Sequence, residues 1–173
     1  MGYYTQYMKN VVQLRVLSGS AEQTEALGES LGRKLRGGEV IDLVSDLGGG
    51  KTTFTRGLVR GAGSADQVAS PTFTLSRVYD TESLHIHHFD FYRLDEPGIM
   101  ANELAEVMED DQSVVLIEWS DVLQHVLPDI RLTITITQTG EESREFNLQF
   151  PAEYTYMLQE TSSDSGTTIG KKL

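Results

Sequence analysis

Apolar and polar residues alternate from Val11 to Leu17, which predicts a strand with one face turned inward. Ser20 and Gln23 then have the spacing of a capping box, and Ala26, Leu27, Leu31 and Leu35 recur on one helical face up to the stop at Gly37-Gly38. From Val40 to Val44 the chain is apolar except for Asp42, an odd residue in a strand that should be buried. Phe54, Leu58, Val59 and Ala62 carry the next helical period, closed by Gly61 and Gly63. Ser76 to Asp80 and Leu84 to Phe91 read as two strands joined by a turn at Thr81-Glu82-Ser83. In the second, His88, Asp90 and Tyr92 share one face, and Phe89 and Phe91 the other. Glu103 to Asp110 is a short acidic helix with Leu104 and Val107 inward. The run Val114-Val115-Leu116-Ile117 is a buried strand ending in Glu118-Trp119. Leu132, Ile134 and Ile136 are matched by Phe146, Leu148 and Phe150 in a hairpin turning near Gly140, and Ala152 to Leu158 forms a last helical turn.

Between the strand at Val40 and the helix at Phe54 lies Ser45-Asp46-Leu47-Gly48-Gly49-Gly50-Lys51-Thr52-Thr53. Strand, Gly-rich loop and helix in this order are the context in which G-x-x-x-x-G-K-[ST] binds phosphate. Glycines let backbone N–H groups turn toward phosphate oxygens, and the helix N-terminus adds its positive dipole end. Lys51 is placed to reach the β- and γ-phosphates and the Thr52 hydroxyl to ligate Mg²⁺, so the chain is expected to bind a nucleoside triphosphate. Ser45 stands at the first glycine of the pattern, whereas Gly50, Lys51 and Thr52 are in register; the loop is a variant with its phosphate-contacting half intact.

Composition narrows the classes. The 173 residues are 39% hydrophobic and 23% charged, long enough for one domain with a real core. No apolar run reaches membrane-spanning length, and residues 1–12 lack the apolar centre of a signal peptide, so a cytoplasmic protein is expected. Gly2 invites a myristoylation reading, but Gln6 occupies the position that requires Ser or Thr. With no cysteine there are no disulfides or thiolate metal sites. A net charge of −12 argues against gripping nucleic acid directly. From 94 to 130 there are ten Asp/Glu residues and no Lys or Arg; composition alone favours a solvated acidic face over a docking surface for a basic partner. Residues 1–158 are read as one domain. Residues 1–10, with Tyr3, Tyr4 and Tyr7, are a loose lead-in, and the Ser/Thr/Gly-rich 159–173 is a disordered tail.

Other segments carry candidate chemistry. Ser70-Pro71-Thr72-Phe73-Thr74-Leu75 is a loop feeding a strand, placed where nucleotide-sensing switches often sit. Asp90 could position water or Mg²⁺ beside a γ-phosphate. His85, His87 and His88 invite a zinc reading, but His88 faces away from the other two and no acid nearby in sequence partners them. Glu118, ending a buried apolar strand, needs a cation or hydrogen bonds, as the Mg²⁺-associated acid of a phosphate-loop core does. Trp119, the only tryptophan, lies next to it.

Four segments together resemble the TsaE (formerly YjeE) family of bacterial ATPases. They are Asp46-Leu47-Gly48-Gly49-Gly50-Lys51-Thr52-Thr53-Phe54, Ser70-Pro71-Thr72-Phe73-Thr74-Leu75, His88-Phe89-Asp90-Phe91-Tyr92-Arg93-Leu94 and Leu116-Ile117-Glu118-Trp119. Their order and spacing fit over residues 14–150. The resemblance implies an α/β fold: a single P-loop NTPase domain with a central mixed, mostly parallel sheet flanked by helices, binding ATP or ADP with Mg²⁺. It implies nucleotide contacts from Asp46 through Thr53 with Trp119 nearby, Mg²⁺ at Thr52 and Glu118, and catalytic roles for Lys51, Thr72, Asp90 and Glu118. It further implies work with TsaB and TsaD, the latter transferring a threonylcarbamoyl group to adenosine 37 of ANN-decoding tRNAs, with tRNA met only through the complex. That role shifts the reading of 94–130 toward partner docking. Ser45 and Ser120, the latter in place of a common proline, depart from the family pattern, as does the tail after Gln159. The rival readings are a small-molecule or nucleoside kinase and a nucleotide-binding module that does not hydrolyse. The first is disfavoured because no lid arginine occurs in 94–130, and a GTPase because no N-K-x-D segment occurs.

Overall fold

A computed structural model describes residues 11–159 apart from 97 and 124. The expected lead-in at 1–10 and all of the tail but Gln159 lie outside the described residues. The chain runs β1 (Val12–Ser18), α1 (Ala21–Gly32), β2 (Val40–Val44), α2 (Lys51–Gly61), β3 (Ser76–Asp80), β4 (His85–Asp90), α3 (Met100–Met108), β5 (Ser113–Glu118), β6 (Leu132–Gln138) and β7 (Arg144–Phe150). Short 3₁₀ turns follow at Ser120–Leu123 and Ala152–Leu158. The capping box at α1 forms with a shift. The Ser20 hydroxyl accepts from the Gln23 N–H at 3.3 Å, while the Gln23 side chain accepts from the Gly19 N–H at 2.7 Å rather than from Ser20.

The seven strands form one sheet in the order β1-β7-β6-β2-β5-β4-β3. The sheet is mixed, but not mostly parallel: only β6–β2, β2–β5 and β5–β4 run parallel, three of six pairings. The short connections between β3 and β4 and between β6 and β7 force antiparallel hairpins, and β1 joins β7 antiparallel as well. The parallel centre is where the strand ends that matter come together. β2 runs into the Gly-rich loop, and Asp90 and Glu118 are directly paired at the ends of β4 and β5.

Helices cover both faces. On one, Leu31, Phe54 and Leu58 pack on Ile41, Leu116, Ile134 and Leu148. On the other, Leu104 and Leu123 pack on Phe89, Val115 and Ile117. The inward stripe of α1 is Thr24, Gly28, Leu31 and Gly32; Ala26, expected inward, is exposed. Backbone contact with α2 displaces it. A Cβ on Gly28 would lie 2.2 Å from the Phe54 carbonyl oxygen, and one on Gly57 would lie 2.0 Å from that of Glu25. Arg56 and Arg60 of α2 clamp the seam by pairing with Glu25 and Glu29. Gly57→Ala should therefore lower stability by about 1–3 kcal/mol, the cost of overpacking a close contact. Denaturant unfolding measures it, and an unchanged midpoint would mean the helices separate freely.

Candidate active site

The loop between β2 and α2 works through its backbone. Gly50 precedes α2 with φ +110° and Gly48 has φ +75°, both in the left-handed region that disfavours side chains. No side chain caps α2, which leaves its first-turn N–H groups facing the loop concavity for an anion. Ser45 has no positive φ, so its side chain costs no strain there. Its Oγ donates to the Asp46 carbonyl at 2.9 Å and fills the space that a Cβ on Gly49 would need.

Lys51 is buried against this loop, with Nζ donating to the carbonyls of Ser45 (3.0 Å) and Asp46 (3.2 Å). The same Nζ lies 3.9 Å from a Glu118 carboxylate oxygen and 4.8 Å from the Trp119 ring centroid. Burial pushes the Lys51 pKa down, and the charges of Glu118, Asp90 and Asp46 pull it back up.

Both carboxylates at the strand ends are almost fully buried, Asp90 at 2% and Glu118 at 3% exposure. Each is held by a specific partner, as burial requires. Asp90 accepts from the Thr72 hydroxyl and, at 2.9 Å, from the Tyr92 N–H. Thr72 is itself bonded to Ser70 at 2.7 Å. The Glu118 carboxylate meets His88 Nε2 at 2.9 Å, and His88 Nδ1 is buried without a partner. An Nε2–H tautomer donating to Glu118 satisfies this geometry and leaves Nδ1 as an unpaired acceptor. Only two non-glycine residues among those described have left-handed backbone, Leu75 (φ +66°) and Trp119 (φ +58°), and both flank the carboxylates. The Leu75 carbonyl accepts from the Asp90 N–H at 2.9 Å, and Trp119 follows Glu118 directly. Strain held at a site edge fits a positioned constellation.

These residues enclose a cavity of about 240 Å³ lined by residues 47–53, Ser70, Thr72, Asp90, Glu118 and Trp119. Every candidate residue from the sequence lines it except Asp46, which contributes its carbonyl to Lys51 and to the Gly49 N–H. Reading the sequence missed three participants. His88 and Tyr92, both expected on the Asp90 face, carry no role in the sequence reading, yet the first meets Glu118 and the second packs its ring 4.9 Å from that of Trp119; Arg144 donates Nε to the Gly49 carbonyl at 3.0 Å. The strand alternation could have pointed to His88. Nothing local marks Arg144, which is 95 residues from its partner.

The other histidines diverge. His85 pairs with Asp80 at 2.7 Å across the β3–β4 hairpin, which corrects the expectation that no nearby acid partners it, and His87 stacks on Phe89. Asp42 also gains an account: it lies on the far face of the sheet, 3.7 Å from Arg131 Nε. Burial raises its pKa, opposed by Ser120 and Arg131. Of the ten acids in 94–130, only Glu118 is buried; the other nine are exposed.

The family model described as "Threonylcarbamoyl adenosine biosynthesis protein TsaE" matches residues 18–146. The chain belongs to the TsaE family. The tRNA threonylcarbamoyladenosine biosynthesis protein TsaE of Bacillus subtilis (strain 168) is 35% identical over 137 residues, 77% of this chain and 83% of that protein. The protein of the same name from Treponema pallidum (strain Nichols) is 34% identical over 135 residues, 78% of this chain and 99% of that protein. The crystal structure of Bacillus subtilis YdiB is similar with a TM-score of 0.72 and 30% identity, covering 86% of this chain and 93% of that one.

In this TsaE-family site Trp119 touches both Tyr92 and the Lys51 cation at the cavity wall. Addition of Mg-ADP should change its fluorescence, which is unambiguous because the chain has one tryptophan. A silent titration with ADP shown to be bound would return Trp119 to packing alone.

Proposed function

We propose that this chain is an Mg²⁺-dependent ATPase that supports threonylcarbamoyladenosine formation at adenosine 37 of ANN-decoding tRNAs, acting with TsaB and TsaD. The observation that carries the ATPase reading is the convergence of Lys51, Asp90 and Glu118 on one phosphate-sized cavity at the N-terminus of α2. In this reading the backbone of Gly48 to Thr53 cradles the β- and γ-phosphates, and Lys51 exchanges its loop carbonyls for phosphate oxygens. Asp90, oriented by Thr72 and the Tyr92 N–H, aligns a water on the γ-phosphorus and takes its proton as the new P–O bond forms. The bond to the β–γ bridging oxygen breaks, releasing ADP and phosphate.

The donor set suits Mg²⁺. Among the described residues no three His, Asp or Glu groups gather to hold an ion alone, and Mg²⁺ characteristically takes one or two protein oxygens plus phosphate and water. Thr52 and Glu118 would hold it, and when bound it supplies charge neutralisation across the β- and γ-oxygens. His88 keeps the Glu118 carboxylate turned toward the cavity.

Partner docking is supported by the nine exposed carboxylates of 94–130 and the net charge of −12, which suit a basic protein surface and leave tRNA to be met through the complex. Among the described residues no helix is long and apolar enough to cross a membrane. The proposed role on tRNA is what assigns the protein to the cytoplasm in this reading. ATP hydrolysis should be weak for the purified chain and strongly stimulated by the TsaB and TsaD proteins of its own organism. Tight ADP binding without stimulation would replace this reading with a non-hydrolysing module, and phosphate transfer to a nucleoside would replace it with a kinase.

A further inference from the structure

The connection from β5 to β6 leaves the nucleotide cavity at Trp119 and passes β2, which lies between those two strands. Both ends of this crossing meet the same side chain of β2. Ser120 opens it, and a hydrogen bond from its hydroxyl favours the ionised form of the Asp42 carboxyl. Arg131 closes it, with Nε 3.7 Å from Asp42 Oδ2 and Nη1 donating to the Pro128 carbonyl at 2.8 Å. Between the two ends Leu123 is fully buried, and Val126 and Leu127 pack on the same core cluster.

Asp42 does little for the stability of its strand. Its side chain is 7% exposed, Oδ1 has no hydrogen-bond partner, and neither has the buried Arg131 Nε that faces the carboxylate. Asp121 adds a like charge that pushes the pKa further up. Replacing such a half-satisfied buried ion by an apolar side chain is commonly neutral or stabilising. The residue next to Ser120 gives the carboxylate another use. Trp119 has φ +58°, a backbone that a tryptophan adopts only where its surroundings impose it. On the cavity side its ring is held 4.9 Å from the Tyr92 ring and 4.8 Å from Lys51 Nζ. Before it, the Glu118 carbonyl accepts from the Phe91 N–H at 3.1 Å. After it, the chain is tied to Asp42 through Ser120.

We propose that Asp42 is a positioning residue of the nucleotide site. By holding Ser120 and Arg131, the two ends of the β5–β6 crossing, it fixes the left-handed Trp119 backbone and so the aim of Glu118 and the Trp119 ring into the cavity. Its effect on hydrolysis rests on the ATPase reading above, whereas its effect on Trp119 does not. Asp42→Leu removes both ties, Ser120→Ala removes one, and Asp42→Asn keeps an oxygen that can accept from Ser120. Each full-length variant would be compared with wild type by thermal unfolding and by acrylamide quenching of the single tryptophan without nucleotide. The kcat of ATP hydrolysis and the affinity for ADP would then be measured with the TsaB and TsaD proteins present. Asp42→Leu should melt no lower than wild type, yet its tryptophan should be quenched more readily. Its kcat should fall about tenfold, the lower range for removing a group that orients a metal-associated residue. ADP affinity should hold, since the loop backbone and Lys51 carry it. Ser120→Ala should shift quenching and kcat the same way, and Asp42→Asn should bring both back toward wild type. Unchanged quenching in Asp42→Leu overturns the proposal, as does altered quenching with an unchanged rate. A fall in melting temperature that parallels the fall in rate through all three variants makes Asp42 a structural strut and overturns it as well. Should Asp42→Leu fail to fold, Ser120→Ala decides on the same readouts. If the wild-type chain hydrolyses no ATP, the ATPase reading fails and quenching alone decides the role of Asp42.

Discussion

Asp90→Asn should retain ADP binding and lose hydrolysis by about 10²- to 10⁴-fold, the range for removing a positioned general base. The substitution is nearly isosteric, and the site can absorb it. The Asn carbonyl oxygen can still accept from the Tyr92 N–H, and its amide can face the Thr72 hydroxyl that now donates to Asp90. What disappears is the negative charge and the ability to take a proton. Because Asp90 is buried, removing its charge also relieves a desolvation cost, so the variant should be no less stable than wild type. That combination separates a catalytic role from a structural one. Hydrolysis would be measured with the partner proteins present and affinity by titration of ADP. An unchanged rate would take Asp90 out of the mechanism, and a parallel loss of ADP binding and melting temperature would make it a structural strut.

Most of the architecture was legible because it rests on local periodicity. The alternation at 132–136 and 146–150, the apolar run before Glu118 and the glycines before Lys51 each depend on neighbours a few residues apart. The phosphate loop was readable for the same reason, whereas Thr72 joined Asp90 in one candidate site only through the family resemblance. What could not be read depends on contacts between distant segments. Ala26 fits a helical period but loses the inward position to glycines, because α1 meets α2 backbone to backbone. The balance of parallel and antiparallel pairing follows from how the two hairpins and β1 flank the sheet centre, which no single segment announces. Asp42 contradicts its strand pattern until Arg131, 89 residues on and 3.7 Å away, supplies a charge. Arg144 is an ordinary exposed-strand residue by pattern, and only the fold brings it to Gly49.

Lys51→Ala should weaken ATP binding by at least about 1.5 kcal/mol, the lower range for a hydrogen bond to a charged group, which is roughly tenfold in affinity. In the absence of nucleotide Lys51 is tied to two loop carbonyls and lies near Glu118, so binding exchanges existing contacts for phosphate contacts. The exchange favours phosphate, because two neutral carbonyls are replaced by charged oxygens in a partly dry cavity. The loss should be larger for ATP than for ADP, since the ammonium is placed to reach both β- and γ-phosphates. Truncation also strips the cation from the neighbourhood of the buried Glu118, leaving that carboxylate to His88 alone. Lys51→Ala should therefore melt below wild type as well, in the direction expected when one partner of a buried pair is removed. Adding Glu118→Gln to it should recover stability without recovering ATP affinity, because it removes the orphaned charge but restores no phosphate contact. Unchanged ATP affinity in the single variant would sink the phosphate-loop assignment, and with it the ATPase reading.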